Sequence, residues 1–431
     1  MSTDIYDVAV IGGGPAGMAA ACSARESVER VIIIERNHQL GGILRQCIHP
    51  GFGLTYFKEE LTGPEYAQRF IDRVAKTDIE VLTDSMVLAI DPPAEDAGTG
   101  APSEGCHRIE LMSPSGMRTV SCRSVVLAMG CRERTRGEIK VAGSRPAGVF
   151  TAGLAQRYIN IENLKPGHRA VILGSGDIGL IMARRCALEG IEVEGVYELM
   201  PYANGLHRNI RNCLDDFGIP LHLSTTVTRV IGRDRVEAVE VSRVDENLRP
   251  IPGTERTIPC DMLLLSVGLI PENEVSAAAG VQLNPRTNGA VVDERFETSV
   301  PGIFSCGNVL HVHDLADNVT REAEAAGKAA AQHAAGLQPA PERDVTVTGA
   351  GLAGYTVPAR LDRFGNAKLF FRVRRPAERA RIRISVDGQV AFEGKTRSFK
   401  PSEMESFPLP ARIGDTATRC IELAVVPEEE A

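Results

Sequence analysis

Residues 5–36, IYDVAVIGGGPAGMAAACSARESVERVIIIER, decide the fold of the N-terminal part of the chain. An apolar run at 5–11 leads into the turn Gly12–Gly17, an alanine-rich segment follows, and a second apolar run covers 31–34. The apolar runs have the length of buried strands, and the alanine-rich stretch between them favours a helix. The order strand, glycine turn, helix, strand predicts a βαβ unit with two parallel strands.

The glycines of this turn have the spacing that a bound pyrophosphate requires. Gly12 permits a sharp turn, Gly14 lets the backbone approach phosphate groups, and Gly17 lets the helix pack close to the strand. Glu35 follows Gly12 by 23 residues and ends the second strand, where a carboxylate can accept hydrogen bonds from both hydroxyls of a ribose. A turn with a purely structural role is the alternative. The predicted dinucleotide contacts in this unit are Gly12, Gly14, Pro15, Ala16, Gly17, Glu35 and Arg36.

The same pattern returns at residues 170–198. The apolar run at 170–173 leads into a second glycine turn, a helix through Leu188 follows, and the next strand ends at Glu198, 24 residues after Gly174. A carboxylate at this position favours NAD(H) over its 2′-phosphorylated form. A duplicated unit that has lost its nucleotide is the alternative. The predicted contacts in this unit are Gly174, Gly176, Asp177, Ile178, Gly179 and Glu198.

Later apolar segments complete the two units. The run 125–130 would close the first unit and the run 261–268 would close the second. Residues 302–308 form another short strand with a turn, and an alanine-rich helix at about 318–335 could return the chain to the first unit. We therefore predict an α/β fold with two Rossmann-like domains, the second inserted into the first.

These residues together resemble the flavoproteins with two dinucleotide-binding domains, the superfamily of glutathione and thioredoxin reductases. The resemblance covers about residues 4–336 and implies that the first glycine turn binds the ADP part of FAD and the inserted domain binds NAD(P)H. The superfamily motif G-x-F-A-x-G-D is present as 302–308, with Asn308 in place of the aspartate that holds a ribityl hydroxyl. An amide can still make that hydrogen bond. Further cofactor contacts implied by the resemblance are Gly42, Leu44, Gln46, Val87, Met129, Gly130, Gly268, Gly307 and Asn308.

The stretch after Glu35 distinguishes the chain from the disulfide reductases of this superfamily. Those enzymes carry a redox cysteine pair either in this stretch or within the NAD domain. Here the stretch contains one cysteine, Cys47, and the NAD domain has no such pair, so a dithiol relay is not expected. A bacterial subgroup of FAD/NAD oxidoreductases that accompany anaerobic-type glycerol 3-phosphate dehydrogenase is more similar. That likeness implies electron transfer with a dehydrogenase or small redox protein as partner. Its motifs are Gly41–Leu54, Phe57–Arg69, Gly174–Arg185 and Gly307–Asp314.

Cys47 and His49 are the predicted catalytic residues. By the resemblance, their loop passes the flavin face opposite the nicotinamide, where Cys47 as a thiolate could contact the flavin or an acceptor and His49 could deliver a proton. The alternative for Cys47 is a small buried apolar residue. His311, His313 and Asp314 follow Asn308 and either fix a loop or take part in acid–base chemistry.

The C-terminal part has a different pattern. From Leu369 apolar and polar residues alternate, and Asp387-Gly388 is a hairpin turn, which predicts a small β domain. Residues 360–400 contain 12 basic and 4 acidic side chains, a net charge of +8 that could dock an acidic partner or pair with the chain's own acids. The predicted domains are FAD-binding in 1–140 and 291–338, NAD(H)-binding in 141–290, and β in 345–431.

Composition excludes several classes of function. A net charge of −8 gives little affinity for nucleic acid, and the ten cysteines include no C-x-x-C spacing, so we expect neither a bound metal nor a disulfide framework. The longest uncharged apolar run, Met262–Ile270, is too short to span a bilayer, and we expect a cytoplasmic protein that could form homo- or hetero-oligomers.

The function predicted from these features is an FAD-dependent NADH:acceptor oxidoreductase that exchanges electrons between NAD(H), FAD and a partner protein or small acceptor. One alternative is the FAD subunit of an oxidase complex, similar to the opine oxidase or hydrogen cyanide synthase subunits, in which an amine substrate reduces the flavin. Another is a scaffold subunit without catalytic activity. The electron acceptor and the direction of electron flow stay open at this point.

Overall fold

The computed structural model describes residues 5–93, 105–338, 344–362, 367–410, 413 and 418–428. The chain divides into two compact units. Unit 1 comprises Met1–Arg45, Pro50–Cys131 and Pro271–Ala431, and unit 2 comprises Gln46–His49 and Arg132–Ile270. An inserted unit is thus present, and the C-terminal β region belongs to unit 1. The finer domain boundaries remain predictions.

Unit 1 is built on one sheet in the order β5-β2-β1-β8-β7-β6, with β20 also beside β8. Strands β5, β2, β1, β8 and β20 are parallel, whereas β8, β7 and β6 form an antiparallel meander. The strands are β1 (Ile5–Ile11), β2 (Val31–Ile34), β5 (Glu80–Leu82), β6 (Met86–Asp91), β7 (His107–Ser113), β8 (Gly116–Leu127) and β20 (Ile303–Ser305), with the hairpin β3 (Pro50–Phe52) and β4 (Leu61–Thr62) between β2 and β5 in sequence.

The helices of unit 1 pack through small residues. They are α1 (Pro15–Arg25), α2 (Gly63–Val74), α7 (Glu274–Ala278) and α8 (Ala316–Ala334), with short 3₁₀ turns at Gly42–Gln46 and Gly307–Val309. Helices α1 and α8 approach so closely that a Cβ on Gly327 would lie 2.2 Å from the Ala20 carbonyl oxygen. This contact fixes α8 relative to the helix that follows the first glycine turn.

Unit 2 has a parallel sheet in the order β11-β18-β12-β13-β14 and a second sheet in the order β10-β15-β16-β17. Apolar residues fill the space on each face of the parallel sheet. Its elements are β10 (Ala142–Gly143), β11 (Val149–Thr151), β12 (Arg169–Leu173), β13 (Glu192–Tyr197), β14 (Leu221–His222), β15 (Thr225–Gly232), β16 (Val236–Arg243), β17 (Arg256–Pro259), β18 (Met262–Leu265), α3 (Arg136–Ile139), α4 (Ala152–Asn160), α5 (Asp177–Leu188), α6 (His207–Cys213) and a 3₁₀ turn at Asp215–Phe217. Strands β9 (Cys131–Glu133) and β19 (Leu269–Pro271) mark the passages of the chain between the units.

The C-terminal region has its own apolar core between a sheet in the order β22-β21-β28-β24-β25, with β26 beside β24, and the pair β23–β27. The predicted hairpin is confirmed, because Asp387 and Gly388 have φ angles of 47° and 84° between antiparallel β24 and β25. The predicted fold class is confirmed as well. The strands are β21 (Val345–Gly351), β22 (Arg360–Leu361), β23 (Lys368–Phe371), β24 (Ala377–Val386), β25 (Gln389–Glu393), β26 (Arg397–Phe399), β27 (Glu405–Pro408) and β28 (Cys420–Pro427).

Candidate dinucleotide-binding sites

The first glycine turn joins β1 to α1 and leaves one glycine facing open space. Gly12 has φ +106°, and a Cβ there would lie 2.4 Å from the Ala128 carbonyl oxygen. A Cβ on Gly17 would lie 1.7 Å from the Gly12 carbonyl oxygen, whereas a Cβ on Gly14 would meet nothing within 4 Å. Gly14 caps α1 without a side-chain hydrogen bond, and Pro15 follows it. The uncapped start of an 11-residue helix beside bare backbone suits an anionic ligand.

Glu35 is buried at the end of β2 and bonds its own glycine turn. Its Oε2 accepts a hydrogen bond from the Gly13 backbone N–H at 2.6 Å. Its Oε1 accepts bonds from the backbone N–H and side-chain amide of Asn37, at 2.7 and 2.9 Å. A carboxylate has about four acceptor positions, so one remains for a ribose hydroxyl. Arg36 is exposed, and Val87 is buried two residues after Ser85, whose N–H donates to the Glu35 carbonyl oxygen.

Distant segments of unit 1 meet around this turn. A Cβ on Gly42 would lie 3.0 Å from the Cα of Gly14, and a Cβ on Gly307 would lie 2.9 Å from the Cβ of Ala16. The structure therefore brings together the predicted contacts around Gly14. Others of the predicted set differ in their surroundings: Met129 is half-buried beside Gly12, Gly130 faces open space, Leu44 is in the apolar core, and Gln46 belongs to unit 2.

The side chain of Asn308 has a fixed direction. Its Oδ1 accepts a hydrogen bond from the His313 backbone N–H at 3.0 Å, and its Nδ2 donates to the Cys131 Sγ at 3.7 Å. Because a backbone N–H only donates, the amide oxygen must face His313. The side of Asn308 that faces away from His313 is therefore a donor, not an acceptor.

A buried polar cluster lies behind Asn308. The Glu322 Oε2 accepts a hydrogen bond from His311 Nε2 at 2.6 Å, and its Oε1 accepts one from His313 Nε2 at 3.1 Å. All three side chains are at most 1% exposed. Burial alone would raise the pKa of Glu322, but the two histidines hold it well below its ordinary value.

Sequence reasoning identified the histidines of this cluster but missed Glu322. A signal was present, since Glu322 shares one face of α8 with Val319, Ala323 and Ala326, all of which are buried. A charged residue on an apolar helix face usually has a specific partner. The atoms of the three side chains also lie within 4.8 Å of one another, which is a spacing that a metal ion could use. In the structure these atoms are hydrogen-bonded to each other.

The second glycine turn, between β12 and α5, is closed by Ser266. Gly174 has φ +96°, and a Cβ there would lie 2.0 Å from the Ser266 carbonyl oxygen. The Gly179 N–H donates to the Ser266 Oγ at 3.1 Å, and a Cβ on Gly176 would lie 3.3 Å from the same oxygen. Gly268, at the end of the neighbouring strand, faces open space.

Glu198 repeats the arrangement of Glu35. Its Oε2 accepts bonds from the backbone N–H and the hydroxyl of Ser175, at 2.9 and 2.6 Å. Its Oε1 accepts a bond from the Met200 N–H at 2.9 Å. Glu198 is buried, and one acceptor position again remains for a ribose hydroxyl.

The segment after Glu198 lies over this second turn. Asp177, the first residue of α5, accepts bonds through Oδ1 from the Leu206 N–H at 2.8 Å and the Asn209 side chain at 2.7 Å. The Ser175 Oγ accepts a bond from the Asn204 N–H at 2.9 Å. The second turn therefore carries polar side chains of its own, Ser175 and Asp177, that hold the segment 204–209, whereas the first turn is met by the backbone at Gly42. Ile178, the remaining predicted contact of this turn, is half-buried beside Asp177.

The loop with Cys47 and His49 begins against α4 of unit 2. The Gln46 side chain donates to the Gly153 carbonyl oxygen at 2.8 Å, and the Cys47 Sγ donates to the Gln156 Oε1 at 3.7 Å. Burial raises the pKa of Cys47 to about 12, which keeps it a thiol at neutral pH. His49 is half-buried. All ten cysteines lie within the described residues, and none of them forms a disulfide.

Comparisons with known proteins agree with this geometry. Residues 6–332 match the family model of the pyridine nucleotide-disulphide oxidoreductases. An opine oxidase subunit of Agrobacterium tumefaciens is 27% identical over 71% of this chain and 61% of its own length, so the chain spans about three fifths of that relative. Mitochondrial dihydrolipoyl dehydrogenase of Caenorhabditis elegans is 26% identical over 74% of this chain and 66% of its own length.

Solved structures show the same fold. Thioredoxin reductase of T. acidophilum has a TM-score of 0.61 with 23% identity and covers 78% of this chain and 99% of its own. Among the described residues we find no helix with the length and apolar character needed to cross a membrane. By the match over residues 6–332, the chain belongs to the pyridine nucleotide-disulphide oxidoreductase family, enzymes that use FAD and NAD(P)H.

Proposed function

We propose that the chain is an NADH:acceptor oxidoreductase that exchanges electrons between NAD(H), FAD and a partner protein or small acceptor. The observation that supports this most is the repetition of one arrangement, in which each unit has a glycine turn bonded to a buried glutamate. Gly13 donates to Glu35 in unit 1 and Ser175 donates to Glu198 in unit 2. Bound FAD and NADH supply the hydride transfer, and the polypeptide supplies binding and orientation.

The residues divide into two binding sets. In unit 1 the start of α1 would hold the pyrophosphate of FAD, Glu35 would hold its ribose, and Asn308 would offer an N–H to its ribityl chain. In unit 2 the start of α5 and Glu198 would hold NADH. The buried Glu198 carboxylate attracts a ribose hydroxyl and repels a 2′-phosphate, which favours NADH over NADPH.

For the exit of electrons we keep Cys47 and His49 as the candidate residues. The raised pKa of Cys47 means that the residue would act there as a thiol. A thiol does not attack an acceptor as a thiolate does, so its role would be packing and hydrogen bonding. His49 is partly exposed and can exchange protons with solvent.

A protein partner fits the relatives, two of which have names that identify them as subunits of opine oxidase and of hydrogen cyanide synthase. We propose a dehydrogenase partner, such as a glycerol 3-phosphate dehydrogenase. The basic C-terminal strands are less suited to an acidic partner than their charge indicates, because several arginines pair with acids of this chain. These pairs are Arg360–Asp344, Arg372–Asp314, Arg379–Glu428, Arg383–Glu393 and Arg397–Glu405.

A second candidate function is the FAD subunit of an amine or opine oxidase complex. The observation in its favour is the 27% identity with the Agrobacterium tumefaciens opine oxidase subunit over 321 residues. In that case the substrate of the complex, not NADH, would reduce the flavin.

Anaerobic titration of the purified protein with NADH tests the proposal. We expect yellow protein whose visible flavin absorbance is lost on addition of one equivalent of NADH and much more slowly with NADPH. Flavin that NADH does not reduce, but that an amine such as an opine reduces in the presence of a partner protein, would favour the second candidate. Colourless protein that takes up no FAD would contradict both and indicate a scaffold.

A further inference from the structure

The cluster formed by Glu322, His311 and His313 has a position and a charge that binding of FAD alone does not explain. Glu322 is completely buried, yet it accepts three hydrogen bonds, from the Gly307 backbone N–H at 2.7 Å and from the two histidines. A buried carboxylate with three donors is stable in its ionised form.

The hydrogen-bond geometry of the cluster also determines which ring nitrogen of each histidine carries a proton. Both Nε2 atoms face the carboxylate and must donate to it, whereas both Nδ1 atoms are buried and have no hydrogen-bond partner in the described part of the chain. A proton on Nδ1 would be a buried donor without an acceptor, which is unfavourable. Each imidazole is therefore neutral with its proton on Nε2, and the cluster has a net charge of −1.

The C-terminal β region closes the outer side of this cluster. The His311 ring packs edge-on against Phe370, with ring centroids 5.7 Å apart, and also faces Tyr355. The nearby Arg372 donates to the Val312 carbonyl oxygen at 3.1 Å and lies 3.7 Å from the Asp314 carboxylate. Because Asp314 offsets the charge of Arg372, the negative charge of Glu322 is not cancelled from this side.

The cluster is hydrogen-bonded to the Gly307–Asn308 turn, which lies against the start of α1. Glu322 accepts the hydrogen bond of the Gly307 N–H, and the backbone of His313 holds the Asn308 side chain. On its other side Gly307 lies against Ala16, where a Cβ would be 2.9 Å from the Ala16 Cβ. The Gly307–Asn308 turn is thus enclosed between the cluster and the start of α1.

We propose that Glu322 is a positioning residue that places a buried negative charge behind the Gly307–Asn308 turn and lowers the reduction potential of FAD bound against that turn. The inference rests on the proposed function, since it requires FAD in unit 1. A fixed negative charge in a medium of low dielectric constant disfavours the added charge of reduced flavin. The C-terminal β region then serves to keep this charge away from water.

Redox titration of the FAD-loaded Glu322→Gln variant tests the inference. Glutamine keeps the shape of the side chain and removes the charge, so we expect the ratio of reduced to oxidised FAD at a fixed potential to rise about tenfold, which is about 30 mV for a two-electron couple. The matched control is Glu324→Gln, the same substitution on the same helix but at a side chain that bonds Tyr56. The control should leave the potential unchanged.

The outcomes separate this inference from the proposed function. Wild-type protein that binds no FAD would remove the basis of both. FAD-loaded Glu322→Gln with the wild-type potential would overturn the inference alone, and so would a stoichiometric metal ion in the purified wild type. If Glu322→Gln does not fold, Asn308→Asp offers a second test, since an aspartate can also accept the His313 N–H. Its potential should fall below that of the wild type, and an unchanged potential would overturn the inference.

Discussion

The two glycine turns of this chain have the same sequence pattern but different structural surroundings. In both, a buried glutamate accepts a hydrogen bond from the second residue of the turn, Gly13 or Ser175. The first turn is enclosed by the backbone of distant segments, at Ala128, Gly42 and Gly307. At the second turn the Ser266 carbonyl oxygen takes the place of the Ala128 carbonyl, and the segment 204–209 is hydrogen-bonded to the turn's own polar side chains, Ser175 and Asp177.

From this difference we infer that the first site binds its nucleotide permanently and the second binds its nucleotide transiently. A site made of close backbone contacts fits one shape and is costly to open. A site closed by Asp177 and the segment 204–209 is held by a few hydrogen bonds that can exchange with those of a ligand. We therefore expect FAD to remain bound through purification and NADH to enter and leave at each turnover.

Alanine at the last glycine of each turn should give the largest contrast. In Gly17→Ala the new Cβ would overlap the Gly12 carbonyl oxygen at 1.7 Å, and backbone cannot move aside, so we expect little folded, FAD-containing protein. In Gly179→Ala the new Cβ would lie 2.7 Å from the Ser266 Cβ and 2.8 Å from the Gly174 carbonyl oxygen, a smaller overlap that involves unit 2 alone. That variant should keep FAD and lose affinity for NADH. Soluble yield, FAD content and the KM for NADH measure this, and equal loss of FAD in the two variants would remove the contrast.

Replacing each glutamate by glutamine should weaken the binding of one cofactor and not of the other. Because Glu35 accepts three N–H donors, Glu35→Gln brings an amide NH₂ against one of them, and we expect FAD to dissociate at least about tenfold more readily. Glu198→Gln should retain FAD and raise the KM for NADH by about tenfold. Flavin content after gel filtration and steady-state kinetics give the readout. Loss of FAD from Glu198→Gln would argue against our assignment of the units.

In the wild type, Asp177 should weaken NADH binding slightly, because its carboxylate at the start of α5 faces the place proposed for the pyrophosphate. Asp177→Asn keeps an acceptor for the Leu206 N–H and removes the charge, so we expect the KM for NADH to fall a few-fold, with a smaller effect at high salt. The exposed Asp216→Asn is the control of equal charge change. A KM that rises in Asp177→Asn would mean that the carboxylate helps binding.

The smallest effect is expected at Cys47. Since burial raises its pKa to about 12, iodoacetamide should label this thiol slowly between pH 7 and 9, as mapped by peptide mass spectrometry. Cys47→Ser should reduce flavin with NADH within about twofold of the wild-type rate, because hydride transfer between the cofactors needs no thiolate. Fast labelling at pH 7 together with loss of flavin reduction would show that the thiol is activated.

The parts of the two sites that lie within one short, continuous stretch of sequence could be predicted from the sequence. The glycine turns and their glutamates lie within βαβ units of about 30 residues, so spacing alone identifies them. Glu322 was missed because its contact with Gly307 is created by the packing of α8 beneath the turn, which no short motif encodes. Ser266 was missed for the same reason. The internal partners of the C-terminal arginines likewise depend on strand pairing between distant segments.

Native mass spectrometry of the purified chain with added NAD⁺ tests the central claim most directly, that one polypeptide holds two different dinucleotides at once. We predict a species with the mass of the chain plus one FAD plus one NAD⁺. We also predict that the NAD⁺ is lost from Glu198→Arg while the FAD is kept. A chain that carries only one nucleotide at a time, with NAD⁺ displacing FAD, would contradict the account.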